Sequence, residues 1–360
     1  MQTAADTATV RRELGDRKQA VEQFLTRYFA AKLDGAAEVS PETRELVEFL
    51  AGFVLAGGKR VRACLVAAGY RCWAPEPDDD RLVTAGAAME LLHAFLLAHD
   101  DVFDRDAIRH GEPTLHRRFS NALASRFPSP EIERYGASLA ILAGDVAATL
   151  AFDVLASTPA EPARVIAATR TLARVALETG YGEALDVLAE LHQGVDERLV
   201  AQIHRYKTAK YTIEGPLHIG AILAGARPAQ LAGLSAFAVP LGIAYQLQDD
   251  LLGVFGSERV TGKPVGADLR EGKHTLLAFH GLEGPFASQL RPLLGRRDLS
   301  DEQVGQAQQY LRDGGSVTHS EERIANLVTE SVAALDHLDA RPDGLAFLRG
   351  FAIELVGRIS

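Results

Sequence analysis

Residues 89–106 read MELLHAFLLAHDDVFDRD, an apolar run of helix-forming Leu and Ala that ends in Asp100, Asp101 and Asp104. An ionised carboxylate loses its hydration on leaving water and is rarely buried without a partner, so this ending needs an explanation. On a helix, Asp100 and Asp104 stand one turn apart on one face, with Asp101 offset by about 100°. Carboxylates at that spacing can share hard divalent cations, which take oxygen ligands. They can equally end a solvated helix, and this stretch alone leaves both readings open.

A second stretch repeats the pattern. Residues 234–250 read LSAFAVPLGIAYQLQDD, so Asp249 and Asp250 again close a long apolar helix, with Gln246 and Gln248 just before them. Gly253 occupies the place one turn on where a third carboxylate would stand. Two such helices suggest a bundle that gathers metal ligands from facing helices at its mouth.

The remaining sequence reads the same way. Helical periodicity covers roughly 10–33, 41–56, 60–73, 81–106, 132–157, 161–178, 197–210, 228–255, 301–313, 320–338 and 342–357. Gly and Pro punctuate it, at GG 57–58, APEP 74–77, FPSP 127–130 and the loop 256–273. Ser40 followed by Pro41 reads as an N-cap and first helical residue. No repeat or linker divides the chain. The expectation is a single all-α domain over 1–360, with residues 1 to about 18 as an N-terminal extension.

Composition narrows the function. The chain of 360 residues is 47% apolar with a formal net charge of −10, which argues against a nucleic-acid binder. Two cysteines, Cys64 and Cys72, make no disulfide framework. The polar N-terminus has no apolar signal core, and no stretch approaches the length of a membrane span. The longest candidates, such as LSAFAVPLGIAY, are short and broken by Pro or Gly. A cytoplasmic protein without a transmembrane segment is expected.

Cations gather beside the acidic clusters: Lys59, Arg60 and Arg62 after the GG turn, and Arg109 and His110 past the first cluster. Lys207 lies in HRYKTAK, and Lys263 and Lys273 follow the second cluster. Each alone has a bland reading as a solvated surface group. Carboxylates and cations beside an apolar interior together describe a site for a metal-bound polyphosphate with an apolar tail.

The ordered set resembles the trans-isoprenyl diphosphate synthases, or polyprenyl synthetases, of the geranylgeranyl and farnesyl type. It comprises Gly57-Gly58-Lys59-Arg60-Val61-Arg62, Glu90-Leu91-Leu92-His93, Asp100-Asp101-Val102-Phe103-Asp104 and Arg109-His110-Gly111. Lys207-Thr208, Tyr245-Gln246-Leu247-Gln248-Asp249-Asp250 and Gly262-Lys263 to Lys273 complete it. The resemblance implies a helical bundle around a central apolar cavity, in a homodimer. It implies condensation of isopentenyl diphosphate with an allylic diphosphate, assisted by three magnesium ions for which manganese can substitute.

It also implies roles. Asp100 and Asp104, supported by Asp101, would hold the metal, with Asp249 and its supporting Asp250 as further ligands. Asp268 would add a contact, direct or through water. Arg109, Lys207, Gln246 and Lys263 would grip the allylic diphosphate. Lys59, Arg62 and His93 would bind isopentenyl diphosphate, and Thr208 and Lys273 also belong to substrate binding. The family usually carries Arg where this chain has His110, so that contact to isopentenyl diphosphate is expected to be weaker or pH-dependent.

Phe95, five residues before Asp100, would form the floor that stops chain growth, because one helical turn advances about 5.4 Å, close to one isoprene unit. This pattern resembles enzymes that make geranylgeranyl diphosphate, with farnesyl or longer diphosphates as alternatives. Two rivals are a class I terpene cyclase and a non-catalytic partner subunit. The cyclase would need a second motif, whose nearest match is Asp145-Thr149-Asp153 and ends in the wrong acid. The partner subunit would be expected to lose one acidic cluster, and this chain keeps both.

Overall fold

Ala- and Leu-rich segments with capped ends become helices almost throughout. The computed structural model describes residues 2–109, 111–189, 191, 196–258 and 264–356. Helix α1 spans Gln2–Val39, longer at both ends than the sequence suggests. Ser40 caps α2 (Pro41–Leu55): its side chain accepts from the Thr43 amide while the Thr43 hydroxyl accepts from the Ser40 amide, and Pro41 opens the helix. Helices α3 (Val61–Arg71), α4 (Asp79–Phe103), α5 (Leu115–Ala124), α6 (Ile132–Ala156), α7 (Pro162–Ala189), α8 (Glu197–Ile203), α9 (Gly215–Ala224) and α10 (Pro228–Phe255) follow. Two-residue strands β1 (Ile108–Arg109) and β2 (Glu112–Pro113) pair antiparallel between α4 and α5. They are the only strands among the described residues, and the fold is all-α.

The chain forms two compact units. The first holds residues up to Ala173 with Pro216–Arg227 and Ala340–Leu348. Here α4 packs along α6 and α3, and α5 packs along α6. Val21, Leu25 and Phe29 of α1 and Met89, Leu91 and Leu92 of α4 are fully buried. The second holds Arg174–Gly215, Pro228–Asp339 and the residues from Arg349 onward. Its axis is α10 (Pro228–Phe255), packed against Ser316–Ala334 and a π-helix over His204–Glu214. Leu247, Leu251, Val254, Leu311, Ile324 and Leu327 share its core.

Two expectations are corrected. The helix expected over 197–210 is α8 (Glu197–Ile203) continued by that π-helix, whose wider i→i+5 turns are often found at functional sites. The expectation that no stretch approaches membrane-spanning length also fails. Among the described residues α4, α6 and α10 are long and apolar enough by length and composition. Pro240 does not end α10: Phe237, Val239 and Leu241 are buried around it, and this packing offsets the missing amide hydrogen bond. In each helix 44% to 67% of the apolar window is buried within the protein, so much of that surface is core.

Candidate active site

The first unit carries the GG turn. Gly57 and Gly58 take φ values of 121° and 112°, a region closed to side chains with a Cβ, and Arg60 follows in the left-handed region. Arg60 is buried, donating to the Val54 carbonyl at 2.6 Å and lying 3.4 Å from both Glu90 and Glu22. Glu90 in turn accepts from the Ala63 amide at the start of α3. This pair therefore holds the turn, while Lys59 is exposed and Arg62 half-buried. His93, three residues after Glu90 on α4, is partly buried. The structural role of Arg60 and Glu90 was not read from sequence; opposite charges inside two motifs were the available signal.

At the end of α4, Asp100 and Asp104 are partly exposed and Asp101 is completely buried. Arg109 turns back from β1 over this cluster. Its Nε donates to Asp101 Oδ1 at 2.5 Å and its Nη2 to Asp100 Oδ2 at 3.0 Å, with Asp106 at 3.6 Å. The other oxygen of Asp101, Oδ2, is buried and has no hydrogen bond. Burial pushes the Asp101 carboxyl up from 3.8 to about 6, against the opposing pull of Arg109. A buried carboxylate oxygen left without a donor, beside two reachable carboxylates on one helix face, fits a hard divalent cation. Among the described residues no three acidic, His or Cys side chains form a closed cage. Water and substrate oxygens would therefore complete the coordination.

The second unit repeats this division. On α10 Asp249 is exposed and Asp250 buried. Thr208 Oγ1 donates to Gln246 Oε1 at 2.7 Å, and Gln246 Nε2 donates to Asp250 Oδ1 at 2.8 Å. Asp250 Oδ2 has no hydrogen bond, and His204 Nε2 lies 3.2 Å away. Because Asp250 only accepts, this chain fixes the Gln246 amide with its NH2 toward the carboxylate. Lys207 pairs with Glu183 at 3.0 Å and Asp186 at 2.6 Å, two acids of α7. His204, Glu183 and Asp186 escaped sequence reading. The i,i+3 spacing of the two acids was the available signal.

Gly253 has a structural reason. A Cβ there would lie 2.0 Å from Asp268 Oδ2 and 2.4 Å from Asp268 Cγ. The Asp268 carboxylate therefore lies against α10 where a third acid of the second cluster would begin. Burial pushes it up from 3.8 to about 7, with Lys273 opposing. Lys273 also lies 3.5 Å from Glu271. Phe95 is partly buried on α4 and meets His99 edge to face. His110 and Lys263 lie outside the described residues.

The acids of the cyclase-like series are engaged otherwise. Asp145 lies 3.5 Å from His99, and the Thr149 hydroxyl donates to the Asp145 carbonyl. Asp153 accepts from Tyr28 and Lys32.

Residues 43–311 match the family model described as polyprenyl synthetase. The farnesyl diphosphate synthase of Geobacillus stearothermophilus is 31% identical over 340 residues, covering 91% of this chain and 99% of its own. The geranylfarnesyl diphosphate synthase of Aeropyrum pernix is 32% identical over 290 residues, covering 80% and 86%. Among solved structures, a geranylgeranyl pyrophosphate synthase from Corynebacterium glutamicum, complexed with isoprenyl diphosphate and magnesium, superposes with a TM-score of 0.90. It is 33% identical, with 96% of this chain and 99% of that one covered. The chain belongs to the polyprenyl synthetase family. It is a trans-prenyltransferase that elongates prenyl chains.

Proposed function

We propose that the protein condenses isopentenyl diphosphate with an allylic diphosphate and releases geranylgeranyl diphosphate as its main product. The observation that carries this reading is the paired construction of the acidic clusters. Each sets a buried Asp with one oxygen lacking a hydrogen bond, Asp101 or Asp250, beside accessible carboxylates, Asp100 and Asp104 or Asp249. Bound divalent metal, magnesium in this reading at three ions per site with manganese as a substitute, would stabilise charge on the leaving diphosphate. Asp100, Asp104 and Asp249 would hold it, with Asp268 as a further contact.

Arg109, Lys207, Gln246 and Lys263 bind the allylic diphosphate and fix the oxygen on which charge develops. Lys59, Arg62 and His93 bind isopentenyl diphosphate, with His110, Thr208 and Lys273 completing the substrate contacts. The allylic C–O bond breaks and its electron pair leaves with the diphosphate. The double bond of isopentenyl diphosphate then forms a carbon–carbon bond to the allylic cation, and a proton passes to the departed diphosphate. The apolar stretch before Asp100 keeps water from quenching the cation. Phe95 within it supports a product near twenty carbons.

The same reading includes a cytoplasmic homodimer. Tyr135 and Leu142, seven residues apart on α6, are exposed, which supports a partner surface there. The test incubates purified protein with magnesium, labelled isopentenyl diphosphate and each allylic starter separately, then sizes the products. Chains that lengthen and stop at one size are expected. Folded protein that elongates no starter would overturn the reading.

A further inference from the structure

His99 has no part in the chemistry above, yet its ring lies against Phe95 and is tied to a second helix. Its ring meets the Phe95 ring edge to face, with centroids 4.7 Å apart and planes at 68°. Its other neighbour along α4 is Phe103, at 6.2 Å and 80°. Across the helix pair its Nε2 donates to the Ile141 carbonyl at 3.1 Å and lies 3.5 Å from Asp145 Oδ1. Both partners belong to α6, so the imidazole spans the two helices. Gly144 makes this possible, since a Cβ there would lie 2.5 Å from His99 Cδ2 and 2.6 Å from Nε2.

A donor bond at one end and the bare backbone of α6 on one side leave the imidazole little freedom. Phe95, one turn earlier on α4 and partly buried, packs its ring against that fixed edge, which favours one rotamer over the others. We infer that His99 is the positioning residue that fixes the Phe95 ring, and through it the length at which the prenyl chain stops growing. This rests on the reading of Phe95 as the floor. Asp145, the first acid of the cyclase-like series, thereby gains a role as an anchor for His99.

The experiment sizes products from labelled isopentenyl diphosphate and farnesyl diphosphate for the wild type and for Phe95→Ala, His99→Asn, Gly144→Ala and His99→Asn/Phe95→Ala. Asn keeps a donor but removes the ring edge, whereas Ala at 144 displaces the ring from the α6 side without altering any residue of α4, its contact with Ala98 Cβ being an ordinary 3.5 Å. Both single variants are expected to raise the ratio of longer to normal product about tenfold, equivalent to ~1.4 kcal/mol. The KM for isopentenyl diphosphate stays within about twofold, a split that general loss of structure does not produce. In the Phe95→Ala background His99→Asn is expected to add nothing.

Lengthening by Phe95→Ala alone, with the other two single variants unchanged, overturns the role of His99 and leaves the floor intact. An additive double variant also overturns it, because His99 would then act independently of Phe95. Failure of Phe95→Ala itself to lengthen the product removes the floor and this inference with it. If His99→Asn does not fold, Gly144→Ala decides the question.

Discussion

Placing a side chain at Gly253 sets two effects of opposite sign against each other. In a helix interior Gly→Ala is worth about 1 kcal/mol of added stability through backbone entropy. Against it stands a Cβ 2.0 Å from Asp268 Oδ2, and overpacking of this kind costs about 1–3 kcal/mol where neighbours cannot yield. The obstacle is the end of a short side chain, whereas the backbone around Asp268 is tied down. The Gly272 and Lys273 amides both donate to the Asp268 carbonyl, at 3.0 and 3.1 Å. The carboxylate therefore moves and the helix stays. Gly253→Ala should change stability by under about 1 kcal/mol, while displacing an acid assigned to the metal.

Gly253→Asp goes further, because it sets two carboxylates in space for one. It should raise the magnesium concentration for half-maximal activity about tenfold, equivalent to ~1.4 kcal/mol. Asp268→Ala should do the same. Combined, the new acid occupies the vacated space, and the double variant should recover most of the loss, a coupling of about 1 kcal/mol or more in the cycle. The assay is a magnesium titration of initial rate beside a thermal melt of each variant. Additive losses in the double variant would refute the claim that Asp268 stands in for the missing acid.

Three further outcomes follow from the same geometry. Asp268 and Asp101 hold their protons to about pH 7 and about pH 6 in the folded protein, against 3.8 for an ordinary Asp. The folded state thus binds more protons between about pH 4 and 7, and stability of the metal-free protein should fall as pH rises through that window. Melting temperatures across this range should show the slope, and Asp268→Asn should flatten it. Glu90→Leu leaves the buried Arg60 with only Glu22 and the Val54 carbonyl, and the Ala63 amide without an acceptor, so urea unfolding should report a loss of about 2–3 kcal/mol. Glu90→Gln, which keeps the acceptor, should lose less. His110→Arg should lower the apparent KM for isopentenyl diphosphate; an unchanged value would remove His110 from that contact.

The helices and the two acidic clusters were legible because their signals are local: periodicity, caps and an Asp-Asp pair after an apolar run. Ser40 and Pro41 capped α2 as their types require. What sequence could not supply was the partner of each charged group. Arg60, beside Lys59 in one motif, is held by Glu90, thirty residues away. Lys207 is held by Glu183 and Asp186 of another helix. These pairings depend on which helices pack together, and no window of sequence contains that. The π-helix was missed for a related reason: its residues carry ordinary helical propensity, and its packing against α10 is a contact that no local window contains.

The same distinction explains why an Asp-Asp pair is used rather than one acid. Adjacent helical residues point about 100° apart, so one carboxylate of a pair can enter the core while the other stays at the surface. Asp101 and Asp250 take the inward position, where Arg109 holds the first and Gln246 the second. That anchoring restricts the helix end, and at the first cluster it brings the Arg109 guanidinium onto the outward Asp100 as well. A single outward Asp would bind metal from a mobile terminus, with no fixed donor at its side. A single inward Asp would only bury a charge. On the proposed function, the inward acid would therefore preorganise the site, although the outward one is assigned the metal.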